Sequence, residues 1–209
     1  MKNDLAARLR LTLILSRREA APRTVTELAE AAFAGGATAL QLREKDNLSD
    51  REIYEEALAL KEFCQARGRL FLVDDRLDLA LAAGADGLHL GQKDMPASRA
   101  ARLLPPGLIL GVSVSTVAEA RAALADGAAY LGVGAIFPTG SKDGAGLVAP
   151  ETVREIVALG APTVAVGGLT PANAPAAWAL GVAGLAVISA LTQASDPRAA
   201  AAGLLSGGP

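Results

Sequence analysis

The sequence is poor in the residues that most often carry nucleophilic or acid–base chemistry. It has one cysteine, Cys64, and one histidine, His89, in 209 residues. A lone cysteine excludes an internal disulfide framework and any cysteine zinc cluster. Cys64 falls within a helical pattern, which suits a packed, inert thiol. Neither sign of charge dominates. With a net charge of −2, no basic field points to nucleic acid or an acidic membrane surface, so any anion binding must be local. Long hydrophobic runs are also missing. The run Leu11 to Ser16 near the N-terminus has arginines on both sides and is too short for a secretory core. Residues 156–195 carry no charge, yet Gly167, Gly168, Pro171, Asn173 and Pro175 interrupt them. The segment therefore reads as buried strands and an Ala-rich helix, not as the roughly 20 continuous apolar residues of a membrane span. These absences predict a soluble, cytoplasmic chain without nucleic-acid or membrane partners. They leave the oligomeric state open, a homo-oligomer included.

What is present is regular. With 51% hydrophobic and 20% charged residues, the chain can bury a sizeable core. Apolar runs at 11–16, 39–44, 69–75, 87–92, 108–114, 130–137, 162–168 and 184–190 read as strands. Amphipathic segments follow them at 24–36, 49–68, 76–85, 96–105, 116–128, 149–160 and 171–181, and a last helix begins near Asp196-Pro197. The strands are continuously apolar, which means burial on both faces, as in a parallel sheet. Eight strand–helix units predict an α/β fold, a single (β/α)8 TIM barrel over residues 1–209 with no linker or second domain. An open doubly wound sheet is the alternative, but no GxGxxG follows the first strand. An internal echo favours the barrel: GGATALQLRE, GADGLHLGQ, GAAYLGVGA and GVAGLAVIS start at Gly35, Gly84, Gly127 and Gly181 and fall on every second strand.

Barrels of this kind react at the C-terminal ends of their strands, and there the polar residues gather. Gln41, Arg43 and Lys45 alternate at the end of the second strand, so they share a face. Asp74 and Asp75 end the third strand, Gln92 and Asp94 the fourth, and Ser113 the fifth. Thr139, Ser141 and Lys142 follow the sixth, Gly167 and Gly168 end the seventh, and Ser189 lies late in the eighth. Arg43, Lys45 and Lys142 are three cations converging on one cavity, a better match for a diphosphate than for one carboxylate. Asp75 and Asp94 are hard oxygen ligands suited to magnesium beside phosphate; helix capping is the alternative reading for both. The late glycines suit a second phosphate held by backbone N–H groups, or simply tight turns. His89 alternates out of step with Gln92 and reads as packed or hydrogen-bonded. No nucleophile elbow and no Schiff-base lysine stand out. Charge stabilisation around a leaving diphosphate is the chemistry left.

The segments QLREK, VDDRLDLALAAGADGLHLGQKD, GVSVST, YLGVGAIFPTGSK, VAVGGL and GVAGLAVISA, in this order and spacing, resemble the thiamine phosphate synthase family over residues 39–191. The resemblance implies a single barrel that joins hydroxymethylpyrimidine diphosphate to thiazole phosphate with magnesium, giving thiamine phosphate and diphosphate by a dissociative, carbocation route. It implies that Gln41, Arg43, Lys45, Ser113 and Lys142 hold the diphosphate, with Arg43, Lys45, Ser113 and Lys142 catalytic. Asp75 and Asp94 would hold magnesium, and Thr139, Ser141, Gly168, Ile188 and Ser189 the thiazole phosphate. Two positions depart from the family. Asp74, by the resemblance a substrate-binding position, stands where an Asn would help bind diphosphate, so Asp74→Asn is expected to leave activity equal or higher; Ser141 replaces a Thr and keeps its hydroxyl. A related thiazole tautomerase has a histidine in place of Ser115 and lacks the acid at Asp94, so both positions favour the synthase. A non-catalytic phosphometabolite-binding barrel is the reading from another class. The glycine-rich loop 138–149 is expected to move over the site.

Overall fold

The computed structural model describes residues 2–45, 48–139 and 146–208. Eight parallel strands close into a barrel in sequence order. They are β1 (Leu11–Leu15), β2 (Ala39–Leu42), β3 (Leu70–Asp74), β4 (Gly87–Leu90), β5 (Ile109–Val114), β6 (Tyr130–Val133), β7 (Thr163–Val166) and β8 (Gly184–Val187). The predicted closed barrel is therefore present, and the open sheet is not. Helices α1 (Lys2–Arg8) to α4 are α2 (Arg17–Ala20), α3 (Val25–Ala34) and α4 (Asp50–Gln65). Next come α5 (Leu77–Ala82), α6 (Ala97–Leu103), α7 (Val117–Ala125) and α8 (Pro150–Val157). The last are α9 (Ala174–Trp178), α10 (Ser189–Thr192) and α11 (Pro197–Leu205). Among the described residues, no helix is long and apolar enough to cross a membrane.

Alternation along each strand sorts its side chains. Leu11, Leu13 and Leu15 point outward into a large cluster shared with the helices, where Leu28, Leu40, Phe71 and Leu88 are also fully buried. Ile14, Ala39, Leu70, Leu72, Tyr130, Val164 and Ala186 point inward and fill the barrel. The interior is crowded, so several inward positions must be glycine. A Cβ on Gly111 would lie 2.1 Å from Cζ of Tyr130, and its absence leaves room for the ring to reach His89 on β4. Cys64 is buried on α4. Burial, with a contribution from Asp86, pushes its thiol up to about 12, so it stays neutral and unreactive, as its helical pattern predicts.

Among the described residues, four helices start on reciprocal caps, in which a hydroxyl accepts from the third backbone N–H and a glutamate carboxylate accepts from the N–H of the capping residue. The pairs are Ser16–Glu19, Thr24–Glu27, Ser49–Glu52 and Thr116–Glu119. Such caps each stabilise by about 1 kcal/mol. Those on α2 and α7 lie directly behind β1 and β5, so they also fix where the chain leaves the mouth of the barrel.

Candidate active site

The register carries the functional side chains to one end. Gln41 pairs with Leu72 and Leu42 with Val73, so Arg43 lies level with Asp74 on the neighbouring strand. The backbone N–H of Arg43 still donates to the carbonyl of Leu15 at 3.0 Å. The inward alternation thus continues one residue past the end of β2. Gln41 is buried and its Nε2 donates to Oδ1 of Asp74 at 2.8 Å. Nε of Arg43 lies 3.3 Å from Oδ2 of the same carboxylate. Lys45 pairs with Asp75. Gln41, Arg43 and Lys45 therefore all look into the mouth, each against an acid of the β3 end.

Asp75 sits at φ 61°, a left-handed conformation that aspartate tolerates better than most residues. Its N–H donates to the carbonyl of His89 at 2.8 Å, and this turns its carboxylate toward Asp94. Burial works against the charge on Asp75, but a hydrogen bond from Asp94 and the contact with Lys45 outweigh it and hold its pKa below the usual range. Asp94 is raised, first by burial and then by Asp75. Oδ2 of Asp94 accepts from the N–H of Gly91 at 2.7 Å, which closes the turn after β4. Neither acid caps a helix: α5 and α6 start on Arg76 and Pro96 without a side-chain cap. The capping alternative for this pair therefore fails. Two carboxylates in contact, neither spent on a helix cap, are a hard-oxygen donor set that a divalent cation fits, because its charge relieves the repulsion between them. Asp74 is raised to about 7, chiefly by burial and then by Asp75, with Arg43 and Lys45 pulling the other way.

Ser113 and His89 join the barrel interior to the mouth. Nε2 of His89 is 2.9 Å from Oγ of Ser113, and Nδ1 is 2.8 Å from the hydroxyl of Tyr130. Burial pushes the Tyr130 phenol up, so it stays protonated. His89 is thus buried and hydrogen-bonded rather than an exposed base. Nε2 of Gln92 donates to the Ser113 carbonyl at 2.7 Å and ties the ends of β4 and β5 together.

Across the mouth, Gly167 and Gly168 both have positive φ. A Cβ on Gly168 would lie 2.4 Å from the carbonyl oxygen of Pro138. The β7 turn is thereby pressed against the segment carrying Thr139, so tight turn geometry is part of what these glycines do. Ile188 and Ser189 lie at the β8–α10 junction. They share a cavity of about 830 Å³ with Arg43 and Lys45. Its other walls include Ser16, Arg18 and Arg23 after β1 and Thr192 and Gln193 of the α10 turn. None of these five was singled out from the sequence. Ser141 and Lys142, and with them half of the loop expected to move, lie outside the described residues.

A family model described as Thiamine monophosphate synthase matches residues 11–191. This chain belongs to the thiamine-phosphate synthase family. It is 49% identical over 193 residues to the thiamine-phosphate synthase of Moorella thermoacetica, covering 91% of each chain. It is 43% identical over 204 residues to that of Coprothermobacter proteolyticus, covering 97% of this chain and 96% of the relative. Its fold matches the solved thiamine phosphate pyrophosphorylase of Pyrococcus furiosus with a TM-score of 0.86 and 41% identity, covering 96% of this chain and 95% of that one. Family membership makes the chain a transferase.

Proposed function

We propose that this member of the thiamine-phosphate synthase family couples hydroxymethylpyrimidine diphosphate to thiazole phosphate as one catalytic barrel domain over residues 1–209, working in the cytoplasm. The observation that carries this reading is the grouping of Arg43 and Lys45 with Asp74, Asp75 and Asp94 at one end of the barrel. Arg43 and Lys45 bind the diphosphate oxygens, and the Ser113 hydroxyl adds a neutral donor. Lys142 is the third cation for the diphosphate, and Thr139, Ser141, Gly168, Ile188 and Ser189 bind the phosphate of the thiazole.

In the reaction, the bond between the pyrimidine methylene carbon and the diphosphate oxygen breaks, and its electron pair leaves with the oxygen. The resulting carbocation, stabilised by the pyrimidine ring, is trapped by the lone pair of the thiazole nitrogen. No proton moves, so no general base is needed, and His89 is free to be structural. The protein lowers the barrier by holding positive charge where negative charge grows and by fixing the two substrates in line. Asp75 and Asp94 would hold magnesium, which would supply Lewis-acid neutralisation of the leaving diphosphate.

The test is to mix the purified protein with hydroxymethylpyrimidine diphosphate, thiazole phosphate and magnesium, and to assay thiamine phosphate with and without EDTA. Product that forms with magnesium and stops with EDTA is the expected result. Absence of product with thiazole phosphate still bound would replace the synthase by a tautomerase-like or binding-only barrel.

A further inference from the structure

Asp74 is an acid facing the place where the proposed reaction puts a diphosphate. Charge alone makes it a liability: an inward carboxylate with 9% side-chain exposure repels a polyanion. Its contacts indicate a compensating use. Both oxygens are engaged, Oδ1 by Nε2 of Gln41 at 2.8 Å and Oδ2 by Nε of Arg43 at 3.3 Å. Those two partners are the inward residues of the strand that carries the diphosphate ligands.

The geometry constrains each partner in a definite way. When ionised, Asp74 only accepts hydrogen bonds, and Nε2 of Gln41 donates to it, so the amide turns its nitrogen to Asp74 and its oxygen away. That settles an amide orientation which the shape of the side chain alone would leave open. Asp74 meets Arg43 on its Nε edge, which leaves the Nη edge for an anion in the forked geometry that phosphate oxygens favour. A long, rotamer-rich side chain is thus held before the ligand arrives, and less ordering entropy is lost on binding. The register puts Asp74 level with Arg43, so the clamp needs no movement of either strand.

We propose that Asp74 is a positioning residue that fixes Gln41 and Arg43 for the diphosphate-bearing substrate without touching that substrate. The proposal rests on the synthase reading and makes Asp74 an aid where its charge predicts a hindrance. The two views differ in sign. Removing a repulsive carboxylate should tighten diphosphate binding; removing a clamp should loosen it.

The test is calorimetry of inorganic diphosphate with magnesium on the full chain carrying Asp74→Ala, Arg43→Ala or both, alongside KM and kcat for hydroxymethylpyrimidine diphosphate. The clamp predicts that Asp74→Ala weakens diphosphate binding about tenfold and raises KM more than it lowers kcat. It also predicts that in the Arg43→Ala background the same change costs clearly less, about two- to threefold, because one of the two groups it positions is gone and only Gln41 is left to release. Tighter binding by Asp74→Ala, or an equal loss in both backgrounds, overturns it. Should Asp74→Ala fail to fold, Asp74→Asn serves, since it keeps the volume but offers one oxygen to two donors. A two- to fourfold loss is then expected, and a gain overturns the proposal. Absence of thiamine phosphate from the unmodified protein would fail the synthase reading, whereas the dependence of diphosphate binding on residues 74 and 43 is read without turnover. A protein that binds no diphosphate fails both.

Discussion

Arg43 shows how much one side chain can be asked to do at this mouth. It is partly buried, held by Asp74, and turned toward the space that Lys45, Ile188 and Ser189 share. Arg43→Ala is expected to lower kcat by about 10²–10³, the usual cost of deleting a charged donor that strengthens in the transition state, with the melting temperature little changed. Unchanged turnover in a steady-state assay would remove Arg43 from the chemistry. Asp94→Asn removes one of two touching carboxylates, and the magnesium concentration for half-maximal rate should rise at least about tenfold; an unshifted magnesium titration would reject Asp94 as a ligand. Gln41, Arg43 and Lys45 were legible in the sequence because charge at alternate positions after an apolar run has few structural explanations. Arg18, Thr192 and Gln193 were not. Arg18 lies between Ser16 and Glu19, whose reciprocal cap explains the local polarity and leaves nothing over to suggest a cavity wall. Asp74 showed as a departure from the family, but its partners depend on a register between strands that the order of residues does not reveal.

At the level of elements, the sequence overstates the strands at their C-terminal ends. The sixth apolar run extends to residue 137 but its strand ends at Val133, and the eighth extends to 190 but its strand ends at Val187, where α10 soon begins. Hydrophobicity continues past the last paired residue because Ala135, Ile136 and Phe137 still pack as they turn over the barrel rim. Burial outlasts pairing there, and composition reports burial. The short helices α1 and α2 were missed for a related reason: seven and four residues are too few to establish a period. Helix ends were easier, since the echoed Gly84, Gly127 and Gly181 each take positive φ where a helix hands over to the next strand. The interior glycines are another matter, because only the fold reveals what crosses them. Gly111→Ala would put a methyl group into the Tyr130 ring and push that ring off its hydrogen bond to His89. A loss of about 2 kcal/mol or more is expected from overpacking, read as a lower urea midpoint. A midpoint that does not move would mean that the ring has room to tilt away.

The closed barrel gives the whole molecule a fixed rim on which charges from different strands must coexist before any ligand arrives. At that rim Arg43 and Lys45 are already matched by Asp74 and Asp75, with Asp94 close by. A bare diphosphate would meet cations that are partly neutralised and carboxylates that repel it. A divalent cation at the proposed Asp75–Asp94 site would reverse that balance, so metal and diphosphate should bind cooperatively and stabilise the fold together. Any ligand that binds only the folded chain adds about 2.7 kcal/mol at a hundredfold excess over its Kd. For a chain of this size that is a rise in melting temperature of roughly 5–10 °C. In a thermal-shift series, magnesium alone and diphosphate alone should each give a small fraction of this rise, and the two together the whole of it. A full shift with diphosphate in EDTA would show that the cations of the rim suffice by themselves, and the pairing of Arg43 and Lys45 with their acids would then have no bearing on how the anion is held.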